Sequence, residues 1–233
     1  MSYFYLITLA LLPGLLIAVY LYLHDKHEPE PLWLVIGTFL LGAVSFLVSL
    51  LVAWPVDMLI PLDDHDLTAQ AIHAFAVIAL IEELSKFLFL RVFIYPNRNF
   101  NEPLDGIIYA VMIGMGFATA ENVLYVWKGG LDTAFVRMFS AIPAHAMFSV
   151  MMGYWMGRAK FIHAYEARYA LMGLFSAVIL HGLYDYFLFI SFVPGIWIWS
   201  FITLAIGILL GKRAIEIHQH ASPFTETRKA SQH

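Results

Sequence analysis

Two carboxylates and an ammonium stand inside an apolar run, Leu80-Ile81-Glu82-Glu83-Leu84-Ser85-Lys86-Phe87-Leu88. Each ionisable group near a bilayer centre costs roughly 2.5–3.5 kcal/mol on insertion scales, so three together need a compensating use. Three later apolar segments carry further polar groups: Glu121 with Asn122, His145, and His181 with Asp185. Acids and imidazoles are the side chains that activate water and move protons in hydrolysis. Local spacing favours a working cluster. Glu82 and Glu83 stand four and three residues before Lys86, so the ammonium can lean on either. The adjacent glutamates point about 100° apart on a helix, so one is expected to face a site while the other braces it. His181 and Asp185 share a helix face, where a carboxylate can fix an imidazole tautomer. Phe117, one turn before Glu121, is expected to lay its ring against that acid.

The elements that must position these groups are membrane spans. Hydrophobic residues make up 61% of the 233-residue chain and charged residues 13%, with a mean hydropathy of +0.76, which excludes an ordinary soluble globule. With no cysteine, disulfides and thiolate chemistry are excluded, and no basic patch points to nucleic acid. Met1 leads straight into an apolar run without a basic stretch or a small-residue cleavage site, which does not read as a removable signal peptide. Apolar stretches of about 20 residues fall at 3–23, 32–60, 69–94, 104–127, 134–157, 169–190 and 196–215. The sequence thus predicts an all-α polytopic transmembrane helix bundle of about seven spans in one domain, 1–217, with the core motifs on 69–190. The polar tail 218–233 is expected to be disordered. Ten basic residues (Lys26, Arg91, Arg98, Arg158, Lys160, Arg168, Lys212, Arg213, Arg228 and Lys229) fall on one side of this arrangement, against Lys128 and Arg137 on the other. That asymmetry puts the N-terminus outside and the C-terminus in the cytoplasm of a cell's inner membrane, with Asp63, Asp64 and Asp66 facing outward. At 1.5 Å per residue, Glu82 lies ~20 Å below the outer surface, His145 ~17 Å, His181 ~14 Å, Glu121 ~9 Å and Asp185 ~8 Å. They occupy one layer, which points to one interior site.

These residues resemble the PrsW family of intramembrane proteases. Its pattern of E-E-x-x-K, F-x-x-x-E-N, a histidine with a glycine eight residues on, and H-x-x-x-D is matched by Glu82-Glu83-Leu84-Ser85-Lys86, Phe117 to Asn122, His145 with Gly153, and His181 to Asp185. The juxtamembrane Asp25-Lys26-His27-Glu28-Pro29-Glu30-Pro31 and the turn Pro103-Leu104-Asp105-Gly106 also look like that family. The resemblance implies site-1-type cleavage of single-pass membrane proteins, such as an anti-sigma factor. It also implies distant kinship with CAAX prenyl endopeptidases and bacteriocin-immunity proteins.

Peptide hydrolysis needs an activated water, a polarised carbonyl and a proton for the leaving amine. Two arrangements meet these needs. In one, Glu121, His145 and His181 ligate Zn2+ with an open position for water, Glu82 or Glu83 is the general base, and Asp185 orients His181. In the other, a glutamate activates water without a metal and the histidines stabilise the oxyanion. Lys86 and Asn122 are support in both. The bland readings are a structural Glu83–Lys86 ion pair, a packing pair of His181 with Asp185, and hydrogen-bonding glue at Glu121 and His145. Gly153 and Gly157 are explained by helix packing alone, as are Gly114 and Gly116. His24, His27, His65, His163, His218 and His220 are expected in solvent, and His73 near the outer surface is given no role. A zinc protease of the H-E-x-x-H type, a paired-aspartate protease and a G-x-S-x-G serine enzyme are all unsupported by the residues. A proton- or cation-coupled transporter and an inert membrane scaffold with the same polar core are the alternatives. No inverted repeat supports the transporter.

Overall fold

The computed structural model describes residues 3–24, 28–59, 63 and 65–224. Asp25, Lys26, His27, Asp64, Arg228, Lys229, the side chain of His24 and the tail from 225 lie outside the described residues. Among the described residues the chain is entirely helical. The elements are α1 (Tyr3–His24), α2 (Leu32–Leu59), α3 (Leu67–Ile72), π-helical turns (His73–Ala79), α4 (Leu80–Phe89), a second π stretch (Leu90–Ile94), α5 (Pro103–Phe139), α6 (Ala141–Phe161), a short 3-10 turn (His163–Tyr165), α7 (Glu166–Phe189) and α8 (Ile198–His220).

α5 is the axis of the bundle. Every residue from 104 to 119 is buried, as a helix that is apolar on all sides requires. α1, α2 and α6 pack around it, α7 lies on α6, and α8 closes against α6 and α7. Gly106 and Gly153 let α5 and α6 touch backbone to backbone. A Cβ at Gly106 would lie 2.5 Å from the Gly153 carbonyl oxygen and 2.8 Å from Gly157 Cα, so small residues set this crossing. The start of α5 is tied down by Asp105 Oδ2, which accepts from the amides of Asn101 (2.7 Å) and Glu102 (2.8 Å). The Tyr109 hydroxyl donates to the Glu30 carboxylate, anchoring the α1–α2 connector to the same point. Outward faces are apolar (Leu51 is 72% exposed), which suits lipid rather than water.

Among the described residues, five stretches are long and apolar enough to cross a membrane: Tyr5–Leu23, Leu32–Leu59, Pro103–Phe161, His163–Phe189 and Ile198–His220. The segment 67–94 is helical throughout but carries Glu82, Glu83, Lys86 and Arg91 and is broken into α and π turns. The 59-residue stretch Pro103–Phe161 is interrupted twice. Gly130 has φ 71° and ψ −152°, a backbone that glycine adopts without the penalty of a Cβ, and Ser140 is non-helical (φ −124°, ψ −76°). The sequence reading placed a loop at 128–133 and one helix over 134–157. Instead, helix continues on both sides of Gly130, and the next helix begins at Ala141.

The C-terminal boundary also moves. α8 runs to His220, and His218, expected in solvent, is buried with its ring stacked on Tyr154 at 4.6 Å between centroids. Aromatic stacking and the close seat beside Gly157 hold it there. His65, His163 and His220 are exposed as expected.

Candidate active site

Four helices deliver the polar groups to one place. α4 is a short amphipathic helix whose Glu82 and Glu83 diverge as their 100° separation demands. Glu82 borders a cavity of about 540 Å³, together with Glu121, Arg137, His145, His181 and Asp185. Glu83 does not. It is fully buried behind the cavity wall, where Lys86 Nζ donates to its Oε1 at 2.7 Å. Lys86 Nζ stands farther from Glu82 Oε2, at 3.8 Å, and sits 4.0 Å from the centroid of the Phe117 ring. Phe117 therefore supports the ammonium by a cation–π contact, where the sequence reading set it against Glu121.

His181 is fixed on both edges. Its Nδ1 is 2.8 Å from Glu83 Oε1, and its Nε2 is 3.2 Å from Asp185 Oδ2 and 4.0 Å from Glu82 Oε2. The carboxylate that holds the far nitrogen is thus Glu83, while Asp185 meets the nitrogen that looks into the cavity. This exchanges the orienting role expected of Asp185. Phe148 stacks on the His181 ring at 4.7 Å and 17°, which locks its plane. His145, from α6, lies 5.1 Å from His181 between ring centroids. Its Nε2 meets Glu121 Oε2 at 3.0 Å and its Nδ1 meets Lys86 Nζ at 3.1 Å.

Arg137 is the participant that the sequence reading missed. Counted there as an outer basic residue, it donates from Nη2 to Glu121 Oε2 (2.7 Å) and from Nε to Asn122 Oδ1 (2.9 Å). Asn122 in turn donates to the Ala10 carbonyl at 2.9 Å, linking α1 to the site. The available signal was an arginine set between apolar residues in Phe135-Val136-Arg137-Met138-Phe139. His73, given no role, meets Asp57 at 2.8 Å where both line the cavity beyond the acidic core.

The residues suit a divalent cation. Ligand atoms of Glu82, His145 and His181 lie within 4.8 Å of one another, a set of two imidazoles and one carboxylate of hydrolytic type. Glu82 Oε2 is buried without a hydrogen-bond partner, an arrangement that costs stability unless the atom serves a ligand. Among the described residues, four carboxylates (Glu82, Glu83, Glu121, Asp185) gather where Lys86 and Arg137 are the fixed cations paired with them and Lys128 also lines the cavity, so fully ionised they leave negative charge to balance. One contact works against ligation by His145: Lys86, a donor only, occupies Nδ1 and makes Nε2 the hydrogen-bearing nitrogen. With that hydrogen held by Glu121, ligation falls to Nδ1 and requires Lys86 to withdraw onto Glu83. The convergent set shares both histidines with the expected Glu121, His145 and His181 and differs in its carboxylate.

A helical bundle whose cavity is edged by glutamates and histidines of successive helices holds the groups that hydrolysis inside a membrane needs. The comparisons with known proteins identify the family. Residues 30–210 match the PrsW family of intramembrane metalloproteases, and the chain belongs to that family. It is 35% identical to Protease PrsW of Geobacillus kaustophilus, over 79% of this chain and 80% of the relative. For Protease PrsW of Bacillus subtilis the identity is 32% over 79% and 83%, and for that of Clostridioides difficile 31% over 88% and 86%. No solved structure matches the chain. The protein is a peptidase of the membrane.

Proposed function

We propose that the protein is an endopeptidase that cuts single-pass membrane proteins within or beside the bilayer, using water activated at Glu82. An anti-sigma factor cut at site 1 is the substrate we infer. The observation that supports this reading is that Glu82, unlike Glu83, lines the cavity, with an Oε2 that has no hydrogen-bond partner. We read the chain as crossing the cell's inner membrane seven times, N-terminus outside and C-terminus in the cytoplasm. Segment 67–94 is one crossing, and α5 and α6 are two, joined through the break at Gly130.

Each side chain then has a task. Glu82 takes the proton from the attacking water and returns it to the leaving amine. Glu83 Oε1 holds His181 Nδ1, which aims His181 Nε2 at the cavity. Glu82, His145 and His181 would hold a divalent cation, one oxygen of Glu82 remaining for proton transfer. Such a cation would supply Lewis acidity to the water and the scissile carbonyl. Lys86 neutralises Glu83 and keeps the core closed, and Phe148 excludes water from one face of His181.

The test is cleavage by detergent-purified protein of two substrates: the cell's anti-sigma factor, and a quenched fluorogenic peptide with one apolar segment of about 20 residues. Glu82→Gln should abolish turnover of both while the fold persists. A Glu82→Gln enzyme that cleaves at the wild-type rate, or substrate-free proton flux in liposomes without any cleavage, would end this reading.

A further inference from the structure

Arg137 stands sixteen residues after Glu121, which on an unbroken helix would separate their Cα atoms by about 24 Å. Its guanidinium nevertheless meets that carboxylate at 2.7 Å. The chain must therefore turn back at Gly130, whose φ of 71° marks the break, and the short helix beyond it returns over the cavity. Three contacts receive the guanidinium there: Glu121 Oε2, Asn122 Oδ1, and the Tyr125 ring at 4.1 Å from Cζ. The fork geometry of arginine suits two adjacent acceptors on one helix, which a point-charge lysine cannot match. The Arg137 and Glu121 side chains are only 14% and 9% exposed. Glu121 Oε2 accepts from Arg137 and also meets His145 Nε2 at 3.0 Å. The chain of contacts thus runs from Arg137 through one oxygen to a ring that borders the cavity beside Glu82.

We propose that Arg137 is a positioning residue of the hydrolytic site: it pins Glu121 against His145 and fastens the returning segment after Gly130 over the cavity. This rests on the hydrolytic reading given above. A partner that orients a working histidine through a carboxylate acts on turnover more than on substrate affinity.

The experiment compares wild type, Arg137→Ala and Arg137→Lys as full-length purified chains on the quenched single-segment peptide, with unfolding midpoints alongside. Arg137→Ala should lower kcat by about 10–100-fold with KM within twofold, and millimolar guanidinium should restore part of the loss. Arg137→Lys, which keeps the charge and loses the fork, should fall between the two. If Arg137→Ala does not fold, Arg137→Lys decides: a kcat equal to wild type overturns the inference. Retained kcat in folded Arg137→Ala also overturns it. So does a loss that only tracks the folded fraction and is indifferent to guanidinium, which would mark a purely structural arginine. A wild type that cleaves nothing overturns the hydrolytic reading and this one together, whereas an active wild type with an equally active Arg137→Ala overturns this one alone.

Discussion

Removing Glu83 while leaving Lys86 is the sharpest perturbation of the bundle. Glu83 is fully buried and Lys86 is 2% exposed, joined at 2.7 Å. Glu83→Ala strands the ammonium, whose next carboxylate, Glu82, is 3.8 Å away. Breaking a buried pair from one side costs about 3–5 kcal/mol, whereas replacing both partners with apolar groups of similar volume is often neutral. Glu83→Ala should therefore destabilise by about 3–5 kcal/mol, and Glu83→Leu/Lys86→Met should recover most of that loss. Reversible unfolding in mixed micelles measures both. Activity separates the roles further. Glu83→Gln keeps an acceptor for His181 Nδ1 but loses the charge, so kcat should fall about 10–100-fold, well short of the loss in Glu82→Gln. A double variant no more stable than Glu83→Ala, or a Glu83→Gln enzyme as inactive as Glu82→Gln, would refute the division into a braced and a working glutamate.

Three further outcomes follow from the geometry. Gly106→Ala should cost about 1–3 kcal/mol by overpacking the α5–α6 contact, while Gly37→Ala, with nothing within 4 Å of the added carbon, should be neutral or stabilising; unfolding midpoints compare them. Asp57→Ala breaks a pair whose acid is 49% exposed, so its stability should change by less than about 1 kcal/mol, checked in the same assay. Metal analysis of purified protein should find a divalent cation that His145→Ala and His181→Ala each lose, with chelation stopping cleavage by the wild type. Full activity in wild type shown to be metal-free would remove the cation from the site.

The sequence displayed the participants better than their partners. Glu82, Glu83, Lys86, Glu121, His145, His181 and Asp185 were legible because charge and imidazole are rare in apolar helices and announce themselves by cost. Their common depth followed from the rise per residue alone. What stayed hidden depended on backbone breaks and ring placement. Gly130 read as part of a polar connector, so Arg137 read as an outer basic residue at the start of the next span, and only the glycine's φ of 71° turns the chain back to Glu121. Phe117 shares a helix face with Glu121, yet Lys86 arrives from α4 and occupies the ring first, a contact no local spacing encodes. His218 sat in a polar stretch, and its burial depends on Tyr154 from another helix.

The consecutive glutamates also explain why one short helix suffices to build the core. Two acids 100° apart cannot share one environment, so α4 sends one toward Lys86 and His181 Nδ1 and leaves the other at the cavity wall. The braced acid fixes the tautomer that the cavity sees, because a hydrogen on His181 Nδ1 bound to Glu83 leaves Nε2, beside Asp185, as the nitrogen turned to the cavity. With Nδ1 held in this way, Nε2 offers a lone pair to a cation or, when protonated, a donor to an oxyanion. The same brace serves either chemistry. Exchanging the order of function, with Glu83 as the working base, would place that base at a fully buried position off the cavity, its Oε1 already held by Lys86 and His181. Oε2 of each glutamate lacks a hydrogen bond, but only Glu82 borders the cavity, and that difference assigns the work.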